Sequence, residues 1–155
     1  MDKDTKSQDE KQVIYIAYFL GYTGLVPFVA LSLIILMANE QIVSVAKPVL
    51  HIYGAIILSF LGGLHWGRIA SKNHLLPSDK WVLMYSVIPS LIGWFSYIIS
   101  NIWQESVWII IIGFILAYFI DRRFIVEGHW RSFMHPLRIN LTIIACFCLI
   151  LSYQT

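Results

Sequence analysis

Charge is what this sequence has least of. Only 13% of its 155 residues are Asp, Glu, Lys or Arg, while 58% are hydrophobic. A soluble domain carries roughly 25% charged residues, so a water-exposed globule is excluded. The formal charge of +2 is too small to point to nucleic acid. No phosphate loop, Ser-His-Asp arrangement, metal-ligand spacing or pair of carboxylates within an apolar run is present, and the chain reads more readily as a non-enzyme. Only two cysteines occur, Cys146 and Cys148. Both lie in an apolar run and read as buried core residues, not as a disulfide or metal pair. No polar stretch is long enough to fold as a separate domain.

What is present is a series of apolar runs, each near the ~20 residues that cross a bilayer. The predicted fold is all-α, a bundle of five transmembrane helices at about 13–37, 48–68, 81–100, 104–121 and 137–153. Residues 13–155 form a single domain behind a polar tail, residues 1–12. That tail is too acidic for a signal peptide or presequence and reads as short and mobile. Pro27, after Gly21 and Gly24, predicts a bend near Thr23 in the first span. Pro89 and Gly93 predict another in the third, because lipid-embedded helices tolerate such breaks when neighbours satisfy the freed carbonyls. Residues 38–47 read as a polar link, with Pro48 opening the second span. Ser78 or Asp79 is placed to cap the third. The fourth run is short and can be lengthened by extending past Asp121. The mixed segment Phe124 to Pro136 suits an amphipathic stretch at the interface.

Five spans put the chain ends on opposite sides. Lys and Arg then divide as three in the amino tail, three around Arg68 to Lys80 and four from Arg122 to Arg138, with Lys47 alone on the other side. The positive-inside rule places the amino terminus in the cytoplasm and the carboxyl terminus outside.

The stretch Tyr53 to Gly67 organises the rest. It holds four glycines, which would cost a soluble helix roughly 1 kcal/mol each but allow close helix approach in lipid. Ala55, Ser59, Gly63 and Gly67 recur every fourth residue and read as a packing seam. At its cytoplasmic end stand His65, Trp66 and Arg68. Asp121 and Arg122 end the fourth span, and Arg138 starts the fifth, at the same depth. Ionisable groups at membrane depth pair and face the bundle interior, so Asp121 is predicted to pair with Arg68, Arg138 or His65. The plainer reading is a structural ion cluster; the sharper one is a proton relay or ligand site open to the cytoplasm. His51 lies fourteen residues before His65, ~21 Å along a helix. A haem between His65 and His129 or His135 is a further alternative; otherwise no cofactor or metal is indicated. Tyr85, Ser86, Ser90 and Trp94, spaced by three and four, read as interhelical hydrogen bonding more than as a pocket.

Tyr53-Gly54-Ala55, Leu58-Ser59-Phe60-Leu61-Gly62-Gly63 and His65-Trp66-Gly67 together resemble the signature of a domain of unknown function, the DUF3429 or transmembrane protein 69-like family. Gly24-Leu25-Val26-Pro27-Phe28, Ser86-Val87-Ile88-Pro89-Ser90, Asp121-Arg122-Arg123 and Leu137-Arg138 with Thr142 are similar to it as well. The resemblance covers nearly all of the chain after the tail. It implies a helical membrane fold and a bacterial inner-membrane location, and it transfers no catalytic residue. The favoured expectation is a non-enzymatic membrane factor that binds or assembles other membrane proteins, with the lipid bilayer and other proteins or a second copy as partners. A small transporter or proton-coupled carrier built on Pro27 and Pro89 is the alternative, and a haem or redox protein using His65 is the third.

Overall fold

A computed structural model describes residues 3–100, 102–128 and 130–153, apart from the side chains of residues 3–7 and 104. The order is α1 (Lys3–Thr23), α2 (Val26–Met37), α3 (Glu40–Ala70), α4 (Asp79–Ser100), a 3₁₀ turn (Gln104–Ser106), α5 (Val107–Val126) and α6 (Met134–Tyr153). No strand occurs among the described residues. Four stretches are long and apolar enough to cross a membrane: Gln8–Met37, Glu40–Ala70, Asp79–Ser100 and Met134–Tyr153. In α5 the charges Asp121-Arg122-Arg123 end the apolar run at Ile120.

Proline chemistry explains the first division. Pro27 has no N–H to offer the Thr23 carbonyl, so the helix stops. Pro27 then sits in the first turn of α2, where the missing donor costs nothing. The break is hydrogen-bonded throughout: Leu25 N–H reaches Tyr22 O at 3.0 Å, and the Tyr53 hydroxyl donates to Gly24 O at 2.8 Å. Pro89 has a milder effect, since α4 continues through it.

Three expectations need correction. Residues 3–12 are the first turns of α1, not a mobile tail. Lys, Glu and Gln are good helix formers, and extending an existing helix costs far less than nucleating one. Residues 40–47 are helix, not link, so α3 begins before the predicted span 48–68 and Pro48 lies inside it. The start is set by Asn39, whose side chain accepts the Ile42 N–H at 3.1 Å. At ~46 Å, α3 is longer than the ~30 Å hydrocarbon core. Finally, Phe124 to Pro136 is not a separate interfacial element, because α5 runs to Val126 and α6 begins at Met134. Asp79 opens α4 but closes the preceding loop, accepting Leu76 N–H at 2.9 Å and the Lys72 ammonium at 2.7 Å.

Helix α3 is central, touching α2, α4, α5 and α6. Leu58, Ile110, Phe28, Phe114 and Leu149 are buried around it. Between α2 and α6, the Ser32 hydroxyl meets Cys148 O at 3.0 Å and Ser152 Oγ at 3.1 Å. The two cysteines are free thiols, with Cys148 buried in the core.

The antiparallel α3–α4 contact is closest where side chains vanish. A Cβ on Gly93 would come within 3.0 Å of the Ala55 methyl, and one on Gly62 would overlap the Ser86 carbonyl oxygen. Between these points Ser59 and Ser90 share a hydrogen bond of 2.8 Å. The four residues of the predicted seam do not share one neighbour. Ala55 and Ser59 pack on α4, but Gly63 and Gly67 are exposed, and a Cβ on either would touch nothing within 4 Å. A four-residue spacing turns ~40° per step at 3.6 residues per turn. By Gly67 the row has rotated off α4, and Gly62 has taken its place.

Candidate functional site

The buried face of each helix carries a polar residue at one end of the bundle. On α3 that face is Leu58, Leu61, Gly62, His65 and Ile69; on α5 it is Ile110, Phe114, Ala117 and Asp121; on α6 it is Arg138, Thr142, Ala145 and Leu149. These are the spacings of core residues, so the bundle itself forces His65, Asp121 and Arg138 inward. All three are at most 5% exposed.

They meet. His65 Nε2 lies 2.8 Å from Asp121 Oδ1, and Arg138 Nε donates to Asp121 Oδ2 at 2.6 Å. Arg138 Nη2 is at ion-pair distance from the same oxygen but off the hydrogen-bond line. The carboxylate accepts only, so His65 donates through Nε2–H. Its Nδ1 is buried with no partner. The arrangement is an imidazole donating to one oxygen of a buried carboxylate whose other oxygen is held by Arg138.

Aromatic rings close the pocket around the imidazole. Trp130 stacks on it with centroids 5.0 Å apart and planes at 18°. Phe124 lies at 4.9 Å, and Tyr85 meets it edge-on at 5.2 Å. The Arg68 guanidinium stands 4.3 Å above the Phe124 ring, a cation–π contact. Chemically this is a shielded ion pair: the charges are matched, and the rings cover the one ring nitrogen that remains unused.

Other predicted residues go elsewhere. Trp66 and Arg122 are exposed and point away from the cluster. Arg68 reaches the aromatic wall but not Asp121. His135 packs against Tyr118, and His129 lies outside the described residues. An axial ligand role for His65 would require breaking its Asp121 bond or opening the ring cage. Among the described residues, no three His, Cys, Asp or Glu side chains are grouped to hold a metal. His51, about four turns before His65 on α3, bonds Ser96 Oγ at 2.9 Å. Of the third-span group, Ser90 reaches Ser59, Ser86 bonds its own helix at Leu83 O, and Trp94 is exposed.

Sequence reasoning missed the aromatic cage. Trp130 reads as an interfacial anchor and Phe124 as part of an amphipathic stretch. Only their position at the depth of His65 hinted otherwise. The segments that carry the family resemblance gather at these places: the α1–α2 break, the Gly62–Ser86 contact and the Asp121–Arg138 pair.

Transmembrane protein 69 of Xenopus tropicalis is 32% identical over 134 residues, which cover 86% of this chain and 52% of that protein. Transmembrane protein 69 of Mus musculus is 29% identical over 129 residues, covering 83% and 51%. The chain thus spans about half the length of these relatives. No solved structure matches. The family described as Protein of unknown function (DUF3429) matches residues 13–154, nearly the whole helical part, and the chain belongs to that family.

Proposed function

We propose that this integral membrane protein is a non-enzymatic factor that binds other membrane proteins through the exposed face of α3. The observation that carries the reading is the open notch at Gly63 and Gly67. Among the described residues nothing lies within 4 Å of a Cβ built there, and a small-xxx-small pair is the surface on which another transmembrane helix approaches most closely. Phe60 and Trp66, both exposed, flank it. The closed His65–Asp121–Arg138 cluster supports the same reading by tying three helix ends together without leaving a charge for a substrate. A transport reading needs polar sites at helix breaks. Here Tyr53 caps the Gly24 carbonyl at the first break, and α4 continues through Pro89.

In this reading α5 makes the fifth crossing. The amino terminus is cytoplasmic, the carboxyl terminus is outside, and the membrane is the bacterial inner membrane. The ten-to-one division of Lys and Arg supports this orientation. A periplasm-active reporter fused after Thr155 should be active; cytosolic activity of that fusion would remove the five-span arrangement.

The binding test places a photo-crosslinker at Phe60 in membranes and compares wild type with Gly63→Leu and Gly67→Leu. A reproducible membrane-protein adduct, lost in the leucine variants while folding is kept, is the expected result. An identical adduct pattern in all three, or none in the wild type, sinks the proposal. An adduct of twice the monomer mass would identify a second copy as the partner.

A further inference from the structure

At the end of the bundle opposite His65, a cavity of about 290 Å³ lies between the first half of α3, the end of α4, the start of α5 and the end of α6. Its wall includes Ser44, Lys47, His51, Ser100, Ser106 and Tyr153, and among the described residues no carboxylate lines it.

Three features of the wall are unsatisfied. Lys47, the single Lys or Arg on this side of the charge division, makes no ion pair among the described residues. Ser106 is fully buried, yet its hydroxyl has no hydrogen-bond partner. Helix α5 starts at the cavity with no side-chain cap on its first turn; the Val107 N–H is taken by Glu105 O of the preceding 3₁₀ turn, which leaves the later N–H groups of that turn and the positive end of the dipole there. The wall is also held rigidly. The Ser96 hydroxyl spends its one proton on Ser106 O at 2.8 Å, so His51 Nε2 must donate to Ser96 Oγ at 2.9 Å. That chain of bonds joins α3, α4 and the start of α5.

A free ammonium, an unpartnered hydroxyl and an uncapped helix start, with no acid among them, are complementary to an oxyanion. We propose that this cavity binds a phosphate group, either as free phosphate or as the phosphodiester of a lipid headgroup in the leaflet on this side. Leu50 and Leu149 in the cavity lining supply apolar contact for the glycerol end of a lipid.

The full chain in a maltoside detergent is the material for the test. It is titrated with sodium phosphate against chloride at constant ionic strength, and separately with dihexanoyl phosphatidylglycerol below its micelle concentration. Tryptophan fluorescence is the readout, since Trp108 packs edge-on against Tyr153 of the cavity wall at 5.7 Å. A saturable change is expected. Saturation by phosphate identifies the free anion, and saturation by the lipid alone identifies the headgroup. Lys47→Gln should weaken binding at least tenfold. Ser106→Ala should weaken it severalfold without lowering the melting temperature, because that hydroxyl bonds nothing in the empty protein. No saturation with either probe, or unchanged affinity in Lys47→Gln, overturns the proposal.

Discussion

Replacing Asp121 with Asn tests the buried ion cluster at its centre. The amide has nearly the shape of the carboxylate, so packing survives and only the charge is lost. Arg138, 5% exposed, is then an unmatched cation inside the bundle. Removing one partner of a buried pair costs ~3–5 kcal/mol. Part of that loss is the amide itself: its oxygen can accept from only one of Arg138 Nε and His65 Nε2, and its NH₂ faces the other donor without accepting. Arg138→Met should also destabilise, by stranding the carboxylate with only the imidazole donor. The informative protein is the double variant Asp121→Asn/Arg138→Met. It holds no charge at this depth, and replacing a whole buried pair by neutral groups is often close to neutral. Its stability should lie within ~1 kcal/mol of wild type, giving a coupling of at least ~3 kcal/mol in the double-mutant cycle. The assay is reversible unfolding in mixed micelles by increasing SDS, followed by circular dichroism. If Asp121→Asn loses less than ~1 kcal/mol, or the double variant loses the sum of the single losses, the charges are not coupled as described.

Neighbouring glycines should behave oppositely. Gly62→Ala drives a methyl group into the Ser86 carbonyl and should cost ~1–3 kcal/mol as overpacking does, whereas Gly63→Ala meets nothing and should be neutral or gain up to ~1 kcal/mol of helix propensity; the same SDS titration compares them. Tyr53→Phe uncaps the half-buried Gly24 carbonyl and should cost ~0.5–1.5 kcal/mol, the net contribution of one hydrogen bond, with faster amide exchange at Phe28 and Val29 by mass spectrometry. Purified protein should show no Soret band, since His65 Nε2 is committed to Asp121; a Soret band lost in His65→Ala would restore the haem reading. Trp130→Ala should open the ring stacked on His65 and move the His65 ring-proton shifts in NMR, while Trp66→Ala, exposed and outside the cluster, should leave them in place.

Much of this protein was legible along the chain. Composition alone requires lipid around helices, and the Lys and Arg positions imply which ends share a leaflet. Depth follows from that, so the meeting of Asp121 with His65 and Arg138 could be anticipated from three helix ends. Helix starts were less legible. Asn39 competes with Pro48 as the opening signal of α3, and a side-chain cap outweighs a proline that lipid-embedded helices tolerate.

Azimuth was beyond the sequence. Whether Gly62 or Gly63 touches α4 depends on the ~40° drift of a four-residue row and on where Ser86 presents its backbone oxygen and Pro89 its ring. Likewise, Trp130 closes over His65 only because the α5–α6 connection returns it there. The chain by itself determined the membrane character and the approximate helical runs, because these depend on transfer energies summed residue by residue. Only tertiary packing decided which face of α3 is covered and which is open, because that depends on contacts between helices far apart in sequence.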